Sequence, residues 1–192
     1  LAGFTLAQKN TSNNVSINYI QINDTSPIWQ KQISEIEYKY NLNIEYINPP
    51  HYSYPGSNFT VLSQDDIAEL AKYVSLFYEE FNRYPQDFIK NVNLKEVAFV
   101  KNLSADGQYV AAEPDSVNEV LFYDIYLSND DSEYQKEVVH HEFYHLIEGN
   151  LNGDMYYKDP AWATFNDPNF KYGSGGASAY DDPKYESAVI EE

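Results

Sequence analysis

Residues 139–147 read Val-His-His-Glu-Phe-Tyr-His-Leu-Ile and contain the pattern His-Glu-x-x-His. On a helix, residues i and i+4 lie on one face a turn apart, so His141 and His145 can present imidazole nitrogens to a single ion. Glu142 follows the first of these histidines, where a carboxylate can take a proton from water at the metal without binding the metal itself. The pattern therefore predicts a hydrolase that holds one Zn²⁺ per chain.

The residues around this motif predict a helix that packs against the core. Apolar residues recur at near-helical spacing at Val138, Val139, Phe143, Leu146 and Ile147. Asp131 or Ser132 can cap the start of this helix, and Gly149 is a candidate end. His140 points about 100° away from His141 on such a helix, which favours a packing or supporting role over metal binding.

The composition indicates an acidic, globular chain without thiol chemistry. Of the 192 residues 43% are hydrophobic and none is cysteine, so His, Asp or Glu must supply the ligands of any metal site. The formal net charge of −18 disfavours nucleic acids and anionic membrane surfaces as partners. No apolar run approaches the roughly 20 residues that span a bilayer. We therefore expect no nucleic-acid partner and no membrane span, and the His-Glu-x-x-His motif itself favours a protein or peptide substrate.

The order of predicted elements divides the chain into an N-terminal extension, residues 1–59, and a main domain, residues 60–192. The extension is predicted to contain an edge strand, a helix that begins after Pro27, a second strand and a proline-rich loop. These elements are placed at residues 15–22, 28–40, 43–47 and 48–59.

The main domain is predicted to begin with a helix and a small sheet. Ser63 and Asp66 resemble a capping box, an apolar stripe runs from residue 67 to residue 81, and Pro85 is expected to end this helix. Three strands are predicted at residues 97–101, 108–112 and 119–127, with turns at Asp106-Gly107 and Pro114-Asp115.

After the motif helix the chain is expected to be irregular, apart from one helical turn around residues 161–165. This order predicts an α+β fold in which a small mixed or antiparallel sheet packs on the helix of the motif. An exposed edge of that sheet can accept an extended peptide as an added strand, across the metal.

Two histidines leave the zinc site incomplete, because a catalytic zinc usually takes three protein ligands and a water. The extended motif with a third histidine is excluded, since Glu148 stands at its glycine position and Leu151 at its last histidine position. A glutamate further along the chain is the alternative. None occurs between Gly149 and Tyr185, so the candidates are Glu186, Glu191 and Glu192.

The stretch from Phe77 to Glu192 resembles a family of secreted bacterial zinc metallopeptidases related to the catalytic domain of anthrax lethal factor. The matching residues are Phe81, Tyr84-Pro85, the core at 141–145, Trp162, Asn166, Phe170, Tyr172 and the segment 185–192. In that family a tyrosine precedes the metal-binding glutamate by seven residues, a spacing that here joins Tyr185 to Glu192. The resemblance therefore implies a zincin-like fold, Glu192 as the third zinc ligand and Tyr185 as a donor to the oxyanion of the reaction.

The family pattern continues past its metal-binding glutamate, whereas the sequence here stops at Glu192. We therefore expect a catalytic domain cut short at its C-terminal end, and Glu191 and Glu186 stay open as ligands, as does Tyr180 as the oxyanion donor. The resemblance also implies a secreted or cell-surface protein whose targeting segment is not part of this sequence. The expected activity is zinc-dependent endopeptidase; the alternatives are an inactive zincin-like binding protein and a zinc hydrolase of non-peptide amides.

Overall fold

The computed structural model describes residues 26–51, 53, 56–153, 160–165 and 167. The helices in these ranges are α1 (Ile28–Tyr40), α2 (Ile67–Phe81), α3 (Gln86–Val92), α4 (Ser132–Asn152) and α5 (Pro160–Ala163). The strands are β1 (Asn43–Glu45), β2 (Asn58–Thr60), β3 (Glu96–Ala105), β4 (Gln108–Tyr109), β5 (Ala112–Asp115) and β6 (Val120–Asp124). The edge strand predicted at residues 15–22 lies outside the described residues.

The first helix and strand confirm the sequence prediction. Helix α1 follows Pro27 and ends at Asn41, whose positive φ of 57° closes the last turn. Strand β1 covers the first three residues of the strand predicted at 43–47. Four residues of α1 face the core, namely Trp29, Ile33, Ile36 and Tyr40.

Helix α2 begins with the predicted capping box. A 3-10 turn at Gln64–Asp66 precedes the helix, and the Asp66 carboxylate accepts hydrogen bonds from the backbone N–H of Ser63, at 2.6 Å, and from the Ser63 hydroxyl, at 2.7 Å. Four residues of the predicted apolar stripe lie in the core, namely Leu70, Val74, Phe77 and Phe81. The other three, Ile67, Ala71 and Tyr78, are partly buried and pack against it, and Tyr73, which the prediction left out, is buried too.

Helix α3 was not predicted from the sequence. Helix α2 already ends at Phe81, and Pro85 stands immediately before α3 instead of terminating α2. A proline fits the start of a helix, because its fixed φ suits the first turn and its missing N–H has no intrahelical partner there. The seven residues of α3 bury Ile89 and Val92, a repeat too short to reveal a helical period.

The sheet is mixed, as the sequence predicted. Its path is β1-β3-β6-β5, in which β3 runs parallel to β1 and β6 while β5 is antiparallel to β6. The second half of β3 pairs with β2 on one side and β4 on the other, both antiparallel. Asp106 and Gly107 form the predicted turn between β3 and β4 with positive φ at both positions, the conformation of a tight two-residue hairpin.

Three local predictions are wrong. The strand predicted at 108–112 is divided between β4 and β5, and Pro114-Asp115 lies inside β5 instead of forming a turn. Proline is tolerated there because, among the described strands, β5 pairs only with β6 and so lies at the end of the described sheet path. Helix α4 does not stop at Gly149 but continues to Asn152, and Gly153 ends it with a φ of 77°.

Both faces of the central strands are buried. Val97 and Phe99 of β3 belong to the main core with the helices, while Ala98 and Val100 alternate to a smaller cluster on the other face. Phe59 of β2 covers this second face and lies 5.4 Å from Phe122, ring centroid to ring centroid. Burial on two sides explains why these strands are continuous apolar runs without a polar alternation.

The described residues thus form a mixed α+β fold with a small mixed sheet, which confirms the predicted fold class at that level. Helix α1 packs on α2, and β1 hydrogen-bonds with β3, so the described part of residues 1–59 shares its core with the rest. In the described part of the chain no helix is long and apolar enough to cross a membrane.

Candidate metal centre

Helix α4 carries the motif and is fixed at its N-terminus. The carboxylate of Asp131 accepts a hydrogen bond from the backbone N–H of Tyr134, at 3.0 Å, which confirms Asp131 as the predicted cap. The cap satisfies one of the N–H groups that a helix start leaves without an intrahelical partner.

The buried face of α4 orients the motif. Val139, Phe143 and Leu146 are fully buried, and the Phe143 ring packs against the rings of Phe81 and Tyr84. The Tyr123 hydroxyl donates a buried hydrogen bond to the Val139 carbonyl, at 3.1 Å. With this face in the core, residues 141 and 145 lie toward the opposite, open side of the helix.

The two motif histidines come together as the spacing predicts. Their Nε2 atoms lie 3.2 Å apart, and the rings meet edge to face with centroids 4.9 Å apart. Two nitrogens that each lie about 2.05 Å from a tetrahedral zinc are about 3.3 Å from one another. The separation of His141 and His145 therefore fits two ligands of one ion.

The lowered pKa of His141 also suits a metal. Burial lowers the pKa of His141 below its usual value, and neighbouring His145 adds to this effect. Zinc binds the neutral imidazole, so a lowered pKa reduces competition from protons. The His141 side chain is 63% exposed, so the nitrogen that would bind an ion is reachable from solvent.

Glu142 lies beside the pair and is more buried than His141. One of its carboxylate oxygens is 4.0 Å from His141 Nε2, and its side chain is 18% exposed. Burial, followed by the charge of Glu113, raises the pKa of Glu142 to about 8. A pKa near neutrality suits a group that first accepts and then returns a proton, and a cation at the histidines would favour its ionised form.

Strand β5 borders this side of the site. It packs against α4 and carries Glu113, the residue whose charge acts on Glu142. Glu113 was missed because a turn was predicted at Pro114-Asp115, so no strand was predicted at the position of β5. The sequence feature that could have indicated β5 is a short segment that contains a proline, which is typical of an edge strand.

His140 lies on a different flank of α4, as its angular position predicts. Its Nδ1 is 2.6 Å from the Tyr84 hydroxyl and its Nε2 is 3.1 Å from the Glu80 carboxylate. Glu80 is almost fully buried and also forms an ion pair with Arg83, at 2.7 Å. The sequence held a sign of this contact, because Glu80 interrupts the buried side of an apolar helix and a buried carboxylate needs partners.

A shallow apolar groove adjoins the histidine pair on that flank. Its volume is about 520 Å³, and it is lined by Tyr84, Phe88, Glu137, His140, His141, Tyr144 and Ile147. Burial, followed by the charge of Glu80, raises the pKa of Tyr84 to about 12, so its hydroxyl keeps its proton at neutral pH.

The other predicted site residues lie outside the described residues. These are Tyr185 and Glu192, with their alternatives Tyr180, Glu186 and Glu191. In the described ranges, no three His, Cys, Asp or Glu side chains are placed to hold a metal together. The structure thus brings together His141, Glu142 and His145, and the remaining assignments stay predictions.

Comparison with known proteins identifies no relative of this chain. The chain matches no protein-family model, and neither the curated proteins nor the solved structures include one that is detectably similar to it.

Proposed function

We propose that this protein is a zinc-dependent endopeptidase. The observation that carries the proposal is the 3.2 Å separation of the His141 and His145 Nε2 atoms, with the Glu142 carboxyl group beside them. His141 and His145 would hold the ion, and Glu192 is the glutamate that we assign as third ligand from the resemblance described above. A secreted or cell-surface location belongs to the same proposal.

Glu142 acts as general base and then as general acid. A zinc ion held by these residues would supply a charge that polarises a carbonyl group and acidifies water. The Glu142 carboxylate accepts a proton from the attacking water and later delivers it to the amine that leaves. Tyr185 is assigned a hydrogen bond to the developing oxyanion, a contribution worth about 3 kcal/mol of barrier where the geometry is good.

The placement of β5 supports a peptide as substrate. Its ladder partner in the sheet is β6, it packs beside α4, and it carries Glu113 close to Glu142. An extended peptide that lies along β5 would run past the proposed metal and the general base. The net charge of −18 is compatible with cationic segments in such a substrate.

Glu142→Gln tests the general base. We expect this variant to bind about one zinc per chain, as the unaltered protein does, and to lose at least about 100-fold in peptide cleavage, because the amide cannot accept the proton. Zinc is measured by elemental analysis and cleavage by mass spectrometry of a mixed peptide library. Glu133→Gln, at the exposed start of the same helix, is the matched control and should cleave normally.

Full cleavage by Glu142→Gln would refute the base assignment. Stoichiometric zinc without cleavage of any peptide by the unaltered protein would refute the endopeptidase and favour a binding protein or a hydrolase of other amides.

Glu192→Gln tests the third ligand. We expect its zinc affinity to fall at least about tenfold, because an amide oxygen is a weaker ligand than a carboxylate. Glu191→Gln and Glu186→Gln are matched controls of the same chemistry, and zinc affinity is measured by competition with a chromophoric chelator. A loss confined to one of these two controls would move the assignment to that residue.

A further inference from the structure

We propose that His140 is a positioning residue for the metal centre, clamped between Glu80 and Tyr84 so that it fixes the rotation of α4. This inference rests on the proposed function and deepens it. The His140 clamp, meaning His140 with the Glu80 carboxylate and the Tyr84 hydroxyl, connects α4 to the last turn of α2 and to the residue before Pro85.

The atoms of the clamp can be assigned to donors and acceptors. A carboxylate only accepts hydrogen bonds, so the 3.1 Å contact with Glu80 places the proton of a neutral His140 ring on Nε2. The bare Nδ1 then accepts the hydrogen bond of the Tyr84 hydroxyl, at 2.6 Å. Both ring nitrogens are therefore engaged, and the ring cannot turn without losing a bond.

The partners of His140 are themselves held in place. Glu80 is 2% exposed and is paired with Arg83. The hydroxyl of Tyr40, in α1, lies 3.0 Å from the carbonyl oxygen of Phe81 and 2.9 Å from that of Tyr84. The clamp thus ties α4 to a turn that α1 already fixes, so it acts as a rigid support.

Geometry indicates what this support controls. His141, Glu142 and His145 share one helix, so a rotation of α4 leaves their mutual distances unchanged and moves them together. An imidazole Nε2 about 7 Å from the helix axis moves about 1 Å for a rotation of about 10°. Such a shift displaces the metal pair relative to β5, along which the substrate is proposed to lie. Misplacement of about 1 Å is enough to slow a reaction strongly.

The core residues of α4 do not replace the clamp. Val139, Phe143 and Leu146 are apolar contacts, which resist separation of the helix but tolerate small rotations more readily than directional hydrogen bonds do. Tyr123 holds the Val139 carbonyl from the sheet side, and the His140 clamp holds the other flank. The Asn150 side chain of α4 also donates a hydrogen bond to the Val92 carbonyl of α3, and these directional contacts on different flanks together define the rotation of the helix.

Tyr84→Phe is the variant that tests the clamp, because it removes one hydroxyl and keeps the ring that packs on Phe143. The matched control is Tyr78→Phe, which also removes a tyrosine hydroxyl that is hydrogen-bonded to another side chain, here the Glu35 carboxylate on the side of α2 that faces α1. In the zinc-loaded protein we expect Tyr84→Phe to lower kcat about tenfold with KM changed less than about twofold, and Tyr78→Phe to change neither.

A second measurement does not depend on metal. In the metal-free protein, ¹⁵N–¹H correlation of the histidine side chains should show His140 protonated on Nε2. The imidazole nitrogens of His141 and His145 should shift in Tyr84→Phe and stay in place in Tyr78→Phe, because only the first variant frees the rotation of α4. A merely structural hydroxyl would lower the melting temperature in both variants and move neither set of resonances selectively.

The outcomes separate this inference from the proposed function. If Tyr84→Phe behaves like Tyr78→Phe in both measurements, the proposed clamp is overturned. A His140 ring that is protonated only on Nδ1 would overturn it too. A protein that cleaves no peptide overturns the proposed function, and the metal-free resonances then decide the clamp by themselves.

Discussion

Asp66 and Glu142 carry the same carboxyl group, and their surroundings move its pKa in opposite directions. For Glu142 burial is the largest effect and disfavours the charge, so its pKa rises to about 8. Asp66 is buried too, but Lys101 lies 2.7 Å away, and the Ser63 backbone and the hydroxyls of Ser63 and Tyr126 donate to it. Its pKa is held well below the usual range, chiefly by Lys101.

This lowered pKa predicts how Asp66 contributes to stability. A carboxylate with a depressed folded-state pKa stabilises the protein fully above its unfolded pKa of about 3.9, and the contribution is lost as the pH falls toward the folded value. Asp66→Asn should therefore cost about 2 kcal/mol at pH 7 and clearly less at pH 3. Urea unfolding of the metal-free protein at the two pH values measures the difference from the unaltered protein.

The exposed neighbour Asp65 supplies the control for this measurement, since Asp65→Asn should change the free energy of unfolding little at either pH. A cost for Asp66→Asn that is equal at pH 7 and pH 3 would mean that packing, not charge, explains its effect.

Among the helices and strands, those with a pattern that neighbouring residues carry over several turns could be predicted from the sequence. Helix α2 has a capping box and about four turns of apolar repeat, and α4 has a cap and a buried stripe, so both were found. Helix α3 and strand β5 were missed because seven and four residues cannot show a period, and their state depends on tertiary partners. Gly149 was misread because a glycine inside a helix is tolerated when the flanking turns are packed.

The same distinction separates the residues of the candidate site that could be predicted from sequence from those that could not. The i, i+4 spacing makes His141 and His145 neighbours whatever the rest of the fold does, so the pair could be predicted from sequence alone. Glu113 and Glu80 reach the site from β5 and α2, across the sheet and between helices. Contacts between elements distant in sequence leave no periodic trace, and these two residues became visible only in the folded chain.

The charge of the whole molecule has its own consequence for stability. There are 30 acidic and 12 basic residues, so the folded chain brings an excess of like charges together. Salt shortens the range of this repulsion, from a Debye length of about 30 Å at 0.01 M to about 8 Å at 0.15 M. We expect added NaCl to stabilise the metal-free protein at pH 8 by about 1 kcal/mol, a rise of about 2–4 °C in melting temperature.

The isoelectric point separates this repulsion from other salt effects. Near pH 4.4, the pI of the sequence, net repulsion is small and the same addition of NaCl should leave the melting temperature nearly unchanged. Salt also weakens exposed ion pairs such as Lys72–Glu69 and Lys136–Glu133, but such pairs contribute little each. A melting temperature that falls with NaCl at pH 8 would show that these local attractions outweigh the repulsion summed over the molecule, and scanning calorimetry at the two pH values decides between them.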